Sequence, residues 1–509
     1  MKKFDRDAGI NLYTASQVKA IEQNYAKKFN QDTYPLMQAA GNAAYLHLIK
    51  FWPEAQRILI FCGKGNNGGD GFVLARLAAE AGKQVTLCAF SSESRLKGDS
   101  AKAFSQLPIN GICSVPASEF TQRGLENLGI FDVIVDAMLG TGIQGAVRES
   151  FAEVILKINQ SGVPVLAVDI PSGVNADTGA VLNCAVKADK TITFVAHKRG
   201  LHTGESVNHR GQVALAKLDI PHDCYQINAI NVVVENWHSL KRVLLPRLQS
   251  AHKGYFGHCM VIGGVTGMSG AMLLAATAAA KCGSGLTSAR MQTGSLSLLA
   301  RCPEIMCFDV ELSEIKQQIE ALPSITSLVV GPGLGQSNWS NEWMQQLNEI
   351  EGLKTRNKVW DADALNWLAL NPDVDNNRII TPHPGEAARL LNISIAQINA
   401  DRFASSLAIA QKYGGVCVLK GAGTVVSDND GNQVVCDVGN PGMASGGMGD
   451  VLSGIIGALL AQGLSLFDAA ALGVCIHGEA ADRVAGKAKL YRGILASDLF
   501  EHFPLLLNP

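Results

Sequence analysis

Apolar runs of strand length, each closed by a glycine-bearing turn and followed by an amphipathic stretch, recur along most of this chain. That alternation leaves few architectures open. RILIFC leads through GKGNNGGDGF into the helical VLARLAAEAG. QVTLCAF precedes a helix expected near Lys97–Leu107, FDVIVDA runs into MLGTGIQGA and another helix, and VPVLAVD runs into IPSGVNADTG. Ahead of them, residues 14–50 read as two helices, the first with Thr14 placed to cap it. Short β-rich runs separated by helices pair as parallel strands joined by right-handed crossovers. The expected fold class is α/β, and ligands in such sheets collect at the carboxyl ends of the strands.

The same rhythm resumes in the second half, where HCMVIGG precedes GVTGMSGAMLLAATAAAKCGSG. SLVVGPGLG, KVWDADALNWLA, RIITPHPGEAARLL and VCVLKGAGTVVSD then each carry a strand into a turn. Residues 222–240 hold neither period, and 509 residues exceed what one hydrophobic core usually serves. Two domains are therefore expected, 1–228 and 229–509, with no Gly/Ser-rich or Pro-rich tether between them.

A net charge of −2 gives no long-range field for nucleic acid or an acidic membrane, which argues against both as partners. The 17 uncharged residues after Asp450 include three glycines, a glutamine and two serines, so a buried helix is expected there rather than a membrane span. The start, MKKFDRDAGINLY, lacks the apolar core of a signal peptide. Twelve cysteines form no C-x-x-C pair, which removes a zinc-ribbon signature. Scattered, apolar-flanked thiols point to core packing in a reducing, cytoplasmic setting.

In the first half every unusual residue falls at a strand end. Asn66, Asn67, Gly68, Gly69 and Asp70 follow the first strand, Asp136 and Gly140–Ala146 the third, Asp169 and Ser172 the fourth. None of these is the G-x-G-x-x-G dinucleotide fingerprint. Paired asparagines with glycines offer amide oxygens and N–H groups in one bend, able to hold a phosphate or an oxygen-liganded cation. Taken singly, each aspartate reads as well as a helix cap.

In the second half the most informative stretch is NPGMASGGMGD, Asn440 to Asp450, five of whose eleven residues are glycine or alanine. Behind it Val451, Leu452, Ile455, Ile456, Leu459 and Leu460 share one helical face. A glycine loop feeding a helix N-terminus leaves backbone N–H groups free, and the helix dipole adds about half a positive charge there. Asp450 reads equally as a base beside that anion hole and as a carboxylate answering orphan N–H groups. Alone, GPGLG is a tight turn, DADAL a helix start, KGAGT a β-turn, and His383 a cap for the helix of Glu386. Together they outline a nucleotide cleft: KGAGT for phosphate and ribose, the 446–450 glycines for a transferring phosphoryl group, GPGLG with His383 for an acceptor.

GKGNNGGDG, DAMLGTGIQG, DIPSGVNADTG and TITFVAHKRGL, in this order, resemble the NAD(P)H-hydrate epimerase domain, whose fold is Rossmann-like. The resemblance implies that Asn66, Asn67, Gly68, Gly69, Asp70, Gly140, Thr141, Gly142, Ile143, Gln144, Gly145, Ala146 and Asp169 hold the hydrated nicotinamide nucleotide. It further implies that Asn67, Asp136 and Ser172 bind K⁺ and that Asp169 is the acid/base group at the carbinol carbon. Gln38 stands where that family is expected to carry a glutamate.

HKGYFG, GMSGA, PEIM, VGPGLG, DADALN, TPHPGE, LKGAGT and NPGMASGGMGD resemble the ADP-dependent NAD(P)H-hydrate dehydratase domain, a ribokinase-like α/β fold. The resemblance implies hydrate contacts from Ala271, Gly333 or Gly335, His383 and Asp450, with Asp450 catalytic. It implies adenine-nucleotide contacts from Lys420, Gly421, Ala422, Gly423, Thr424 and Gly449, and Mg²⁺ held with ADP, Glu386 assisting through water. Met448 occupies a position where a small hydroxyl residue is usual. The implied activity is metabolite repair: the R and S hydrates (NADHX and NADPHX) are interconverted, and the S form is dehydrated as ADP becomes AMP and phosphate. Small molecules and further copies of the chain in a homo-oligomer are the expected partners. A ribokinase-like small-molecule kinase is the alternative, although it leaves the NNGGDG half without a purpose.

Overall fold

The computed structural model describes residues 9–508 apart from 118, 121–128, 227–230, 293–301, 321–324, 351, 352 and 354. Contacts within it divide the chain into two compact units, Asn11–Ile230 and Asn231–Pro509, with Ile10 joining the second.

The sheet of the first unit is parallel throughout. Its order is Ile112–Pro116, Gln84–Ala89, Arg57–Cys62, Val133–Ala137, Val165–Val168, Lys190–Phe194 and Gln212–Ala216. Chain order runs outward in both directions from the pair Arg57–Cys62 and Val133–Ala137. The topological switch therefore lies between those two strands, where a doubly wound sheet leaves a crevice. Alternate residues of the central strands feed opposite cores: Ile58, Ile60, Val133 and Val135 one, Leu59, Phe61 and Ile134 the other. Helices Tyr34–Phe51 and Asn66–Glu80 supply the first core and Glu149–Gln160 the second. The cap expected at Thr14 forms as a full capping box with Gln17 on helix Ala15–Phe29.

Two features depart from the sequence expectation. Asn66–Asp70 is not a bend but the opening turn of helix Asn66–Glu80. The glycines there permit contact rather than break the helix: a Cβ on Gly68 would lie 1.9 Å from the Gly63 carbonyl oxygen. Strands Ile112–Pro116, Lys190–Phe194 and Gln212–Ala216, the first and last of them at the two edges, extend the sheet beyond the four strands read from apolar runs.

In the second unit the order is Met306–Val310, Leu286–Gln292, His258–Ile262, Ser327–Val330, Asn357–Trp360, Arg378–Ile380, Val416–Leu419, Thr424–Asp428, Gln433–Cys436 and Val232–Glu235. The run from Met306–Val310 to Val416–Leu419 is parallel, with its switch between His258–Ile262 and Ser327–Val330. Val416–Leu419, Thr424–Asp428 and Gln433–Cys436 pair antiparallel. The Lys420–Gly423 corner is too short for a parallel crossover, so a hairpin is the only joint available to it.

Helix Met448–Ala461 begins on Gly447 in the left-handed region (φ 90°), and every residue from Val451 to Ala461 is buried. It lies so close to helix Ser269–Lys281 that a Cβ on Gly454 would sit 2.0 Å from the Ala275 carbonyl oxygen. The long uncharged run is thus core helix, and no helix among the described residues is long and apolar enough to cross a membrane.

Candidate active sites

In the first unit a cavity of about 1370 Å³ opens at the topological switch. Asn66, Asn67 and Asp70 line it from the first turns of their helix, Gly140, Thr141, Gly142, Ile143, Gln144 and Ala146 from the loop after Val133–Ala137, and Asp169 from the end of the next strand. Gly68, Gly69 and Gly145 do not line it. At Gly69 a Cβ would approach Met37 Cε to 2.5 Å, the movable end of a flexible side chain.

Asp169 is held in the left-handed region at φ 65°, a conformation that costs a residue with a Cβ on the order of 1 kcal/mol. Its Oδ1 accepts from the Lys198 ammonium, from Thr193 Oγ1 at 3.1 Å and from the Phe194 amide at 3.2 Å. Lys198 is buried and also donates to the Phe194 carbonyl at 2.8 Å. Within TITFVAHKRGL the epimerase resemblance assigns Lys198 no task, and none of its motifs includes Glu22. A lysine directly behind an apolar strand was the available signal. Burial raises the Glu22 carboxyl pKa, Lys198 opposing and Asp169 adding to the rise.

Asp136 is fully buried and, like Ser172, does not line the cavity. Its Oδ1 accepts Ser172 Oγ at 2.5 Å and the Met138 amide at 3.2 Å, and its Oδ2 accepts the Ser172 amide at 2.7 Å. Burial lifts its pKa to about 6 against those hydrogen bonds. Asn67 is buried, and among the described residues neither its Oδ1 nor its Nδ2 has a hydrogen-bond partner. An amide oxygen, a carboxylate and a hydroxyl are donors of the kind that suit a hard, weakly hydrated cation.

In the second unit the loops at the strand ends are tied to one another. The Gly335 amide donates to Asp363 Oδ2 at 2.8 Å, joining GPGLG to DADAL. Gly333 backs onto the loop before Ala271, since a Cβ there would lie 2.3 Å from the Met268 carbonyl oxygen. The Lys420 amide donates to the Pro382 carbonyl at 2.9 Å. Gly421, Ala422 and Gly423 form the hairpin corner, which Thr424 closes by donating its hydroxyl to the Gly421 carbonyl at 2.9 Å. Arg402, another residue missed in the sequence, supports that corner through the Leu419 and Lys420 carbonyls at 3.0 and 3.2 Å.

At the centre Lys420 Nζ lies 2.8 Å from Asp361 Oδ1 and 3.8 Å from Glu386 Oε2. Burial alone would lower the lysine's pKa; the charges of Asp361, Glu386 and Asp450 outweigh it and raise it. A Cβ on Gly449 would lie 3.4 Å from that ammonium. His383 does cap its helix, Nδ1 accepting from the Gly385 and Glu386 amides at 2.9 and 3.4 Å, yet half of its side chain remains exposed. Burial, then Lys420 and Arg389, lower its pKa and favour the neutral ring.

Asp450 stands in the first turn of helix Met448–Ala461 and makes no hydrogen bond to that turn among the described residues. Burial first, then the charge of Asp361, raise its carboxyl to about 7, with Lys420 opposing. The reading as a mere helix-end carboxylate thus loses its hydrogen bonds. What remains is a half-buried acid under the influence of the Lys420 ammonium, with a pKa near neutrality, as a general base needs.

Comparison with known proteins covers both units. Residues 259–505 match the family described as NAD(P)H-hydrate dehydratase, and residues 33–200 the one described as YjeF-related protein N-terminus. The chain is 43% identical over 500 residues to the bifunctional NAD(P)H-hydrate repair enzyme Nnr of Coxiella burnetii, covering 98% of this chain and 99% of that protein. It is 41% identical over 511 residues to the enzyme of the same name from Escherichia coli, covering 100% and 96%. Among solved structures, a ribokinase-like superfamily protein from Enterococcus faecalis aligns with a TM-score of 0.50 at 26% identity, over 56% of this chain and 99% of that one.

Proposed function

The chain belongs to the family of bifunctional NAD(P)H-hydrate repair enzymes, and from that premise we propose how its two units divide the work. The first unit interconverts the R and S hydrates in the cavity at its switch point, with Asp169 acting at the carbinol carbon. The second dehydrates the S hydrate at the expense of ADP. The observation that carries this division is Asp450, a carboxylate unbonded to its own helix beside the Lys420–Asp361 pair.

Asp450 takes the proton of the hydroxyl on ring carbon six as that oxygen attacks the terminal phosphoryl group of ADP. The new O–P bond forms as the bond to AMP breaks. Backbone N–H groups at Gly447–Gly449 and the Lys420 ammonium face the developing charge, a kind of stabilisation worth about 2.7–4 kcal/mol per donor in comparable sites. Phosphate then leaves with the C–O bonding pair, the ring nitrogen's lone pair fills the gap, and loss of a proton from the neighbouring carbon restores the conjugated ring.

Mg²⁺ would travel with ADP and neutralise phosphate charge, with Glu386 placed to hold it through water. K⁺ would sit among Asn67, Asp136 and Ser172, where the unpartnered Asn67 amide supports it. None of the twelve cysteines is paired, which suits a reducing cytosol.

The test is an assay with hydrated NADH, ADP and Mg²⁺, following recovery of reduced-nicotinamide absorbance. Asp450→Ala should abolish that recovery while separated epimers still interconvert. Recovery at the wild-type rate would remove Asp450 from the mechanism, and a stable phosphorylated product would turn the second unit into a kinase.

A further inference from the structure

Asp70 is a buried acid in the wall of the first unit's cavity. Its side chain is 8% exposed, it lines the cavity, and among the described residues it has neither a hydrogen bond nor an ion pair to the carboxyl. A buried carboxyl without donors is costly to ionise, and folds retain such groups where chemistry needs them. Asp169, in the same cavity, is the opposite case, since an ammonium, a hydroxyl and an amide all donate to it.

We propose that Asp70 is a second catalytic residue of the epimerase site, the acid that works opposite the base Asp169. This rests on the epimerase reading of the cavity and adds to it a proton donor. Burial raises the Asp70 pKa well above the carboxylate range, the charges of Asp169 and Glu22 add to the rise, and Lys198 opposes it. Two carboxyls in one cavity in unlike surroundings, one without donors and one held by an ammonium, a hydroxyl and an amide, are how a site divides acid and base chemistry.

The step balances without a further reagent. Asp169 takes the proton of the hydroxyl on carbon six as the bond from that carbon to the ring nitrogen breaks, leaving an aldehyde. The bonding pair goes to nitrogen, which takes the proton of Asp70. Rotation about the bond between carbons five and six turns the other aldehyde face toward nitrogen. Attack by nitrogen then closes the ring, its proton returns to Asp70, and the oxygen recovers its proton from Asp169. The hydroxyl never leaves carbon, so no cation forms that could dehydrate without ADP.

The experiment uses the full chain and purified epimers. Asp70→Asn should slow interconversion by about 10²–10⁴-fold, the usual worth of general acid catalysis. Dehydration of the S hydrate, carried by the other unit, should persist and show that the chain is folded, and Asp70→Glu should recover part of the lost rate. In the wild type, infrared difference spectra at neutral pH should contain a protonated-carboxyl band that shifts with labelled aspartate and is missing in Asp70→Asn. Interconversion by Asp70→Asn within about threefold of wild type, or no such band in the wild type, overturns the proposal. A wild type that fails to interconvert the epimers at all overturns the epimerase reading and this inference with it. If Asp70→Asn does not fold, the Asp70→Glu rate decides the matter: a wild-type rate overturns the proposal, and a partial one supports it.

Discussion

Lys420 Nζ lies 2.8 Å from Asp361 Oδ1, and the other oxygen of that carboxylate accepts the Ser453 hydroxyl at 2.7 Å. One buried acid thus fixes both the ammonium facing Gly449 and the second turn of the helix that carries Asp450. Removing one partner of a buried ion pair typically costs about 3–5 kcal/mol, because the other charge is left uncompensated. Asp361→Asn should therefore lower stability by up to about that amount and depress dehydration, with epimer interconversion as the internal control. After burial, the charge of Asp361 is the larger of the influences raising the Asp450 carboxyl. Its loss should move the acidic limb of the dehydration pH profile to lower pH. A limb that stays in place would separate Asp361 from Asp450.

The Asp450 carboxyl, raised to about 7, predicts opposite pH trends for rate and stability. As the proposed base it must be ionised, so dehydration should climb with pH through about 7 and level off above. The folded protein holds this proton more tightly than the unfolded chain, so its stabilising contribution is complete below about pH 4 and is lost as pH rises to about 7. The loss is at most about 4 kcal/mol, less whatever solvent screens. Asp450→Asn, which never ionises, should gain stability over the wild type across that interval. Urea titrations of both proteins between pH 4 and 8 check it; a constant difference would contradict the assignment.

The parallel strands and glycine loops were legible because their signals are local. RILIFC and FDVIVDA are unbroken apolar runs, as strands buried on both faces must be. Asp450 could be located from the glycines before it and the apolar face behind it. The edge strand Ile112–Pro116 gave no such run, having exposed residues along its length. The helix start at Asn66 was hidden because glycine opposes helix locally and only contact with Gly63 explains it. Lys198, Asp361 and Arg402 went unassigned for a third reason. Their partners lie 29, 59 and 17 residues away, and no periodicity encodes such pairs.

Lys198 offers a separate test in the first unit. Its ammonium is buried against Asp169, Thr193 and the Phe194 carbonyl. Lys198→Met keeps the volume and removes the charge, leaving Asp169 with hydroxyl and amide donors only. Epimer interconversion should fall sharply, and denaturant unfolding should show a loss approaching about 3–5 kcal/mol. Unchanged stability and rate together would mean that the pair is incidental.

Met448 stands where the dehydratase resemblance places a small hydroxyl residue, in the loop expected to face the transferring phosphoryl group. Its side chain instead is 5% exposed and belongs to the apolar core that includes Val451, Leu452 and Met272. What the residue offers the phosphate side is its backbone amide, at the first position of helix Met448–Ala461, and any side chain leaves that amide in place. Met448→Ser should therefore act on stability rather than affinity. Truncating a buried methionine costs about 2–5 kcal/mol, and an unpartnered hydroxyl adds about 1–3 more. KM for ADP should stay within about twofold of wild type, since only uniform-binding contacts would move it. Thermal unfolding and steady-state kinetics on the same preparation decide between the two. A large change in KM at constant Tm would put the methionine side chain back at the nucleotide.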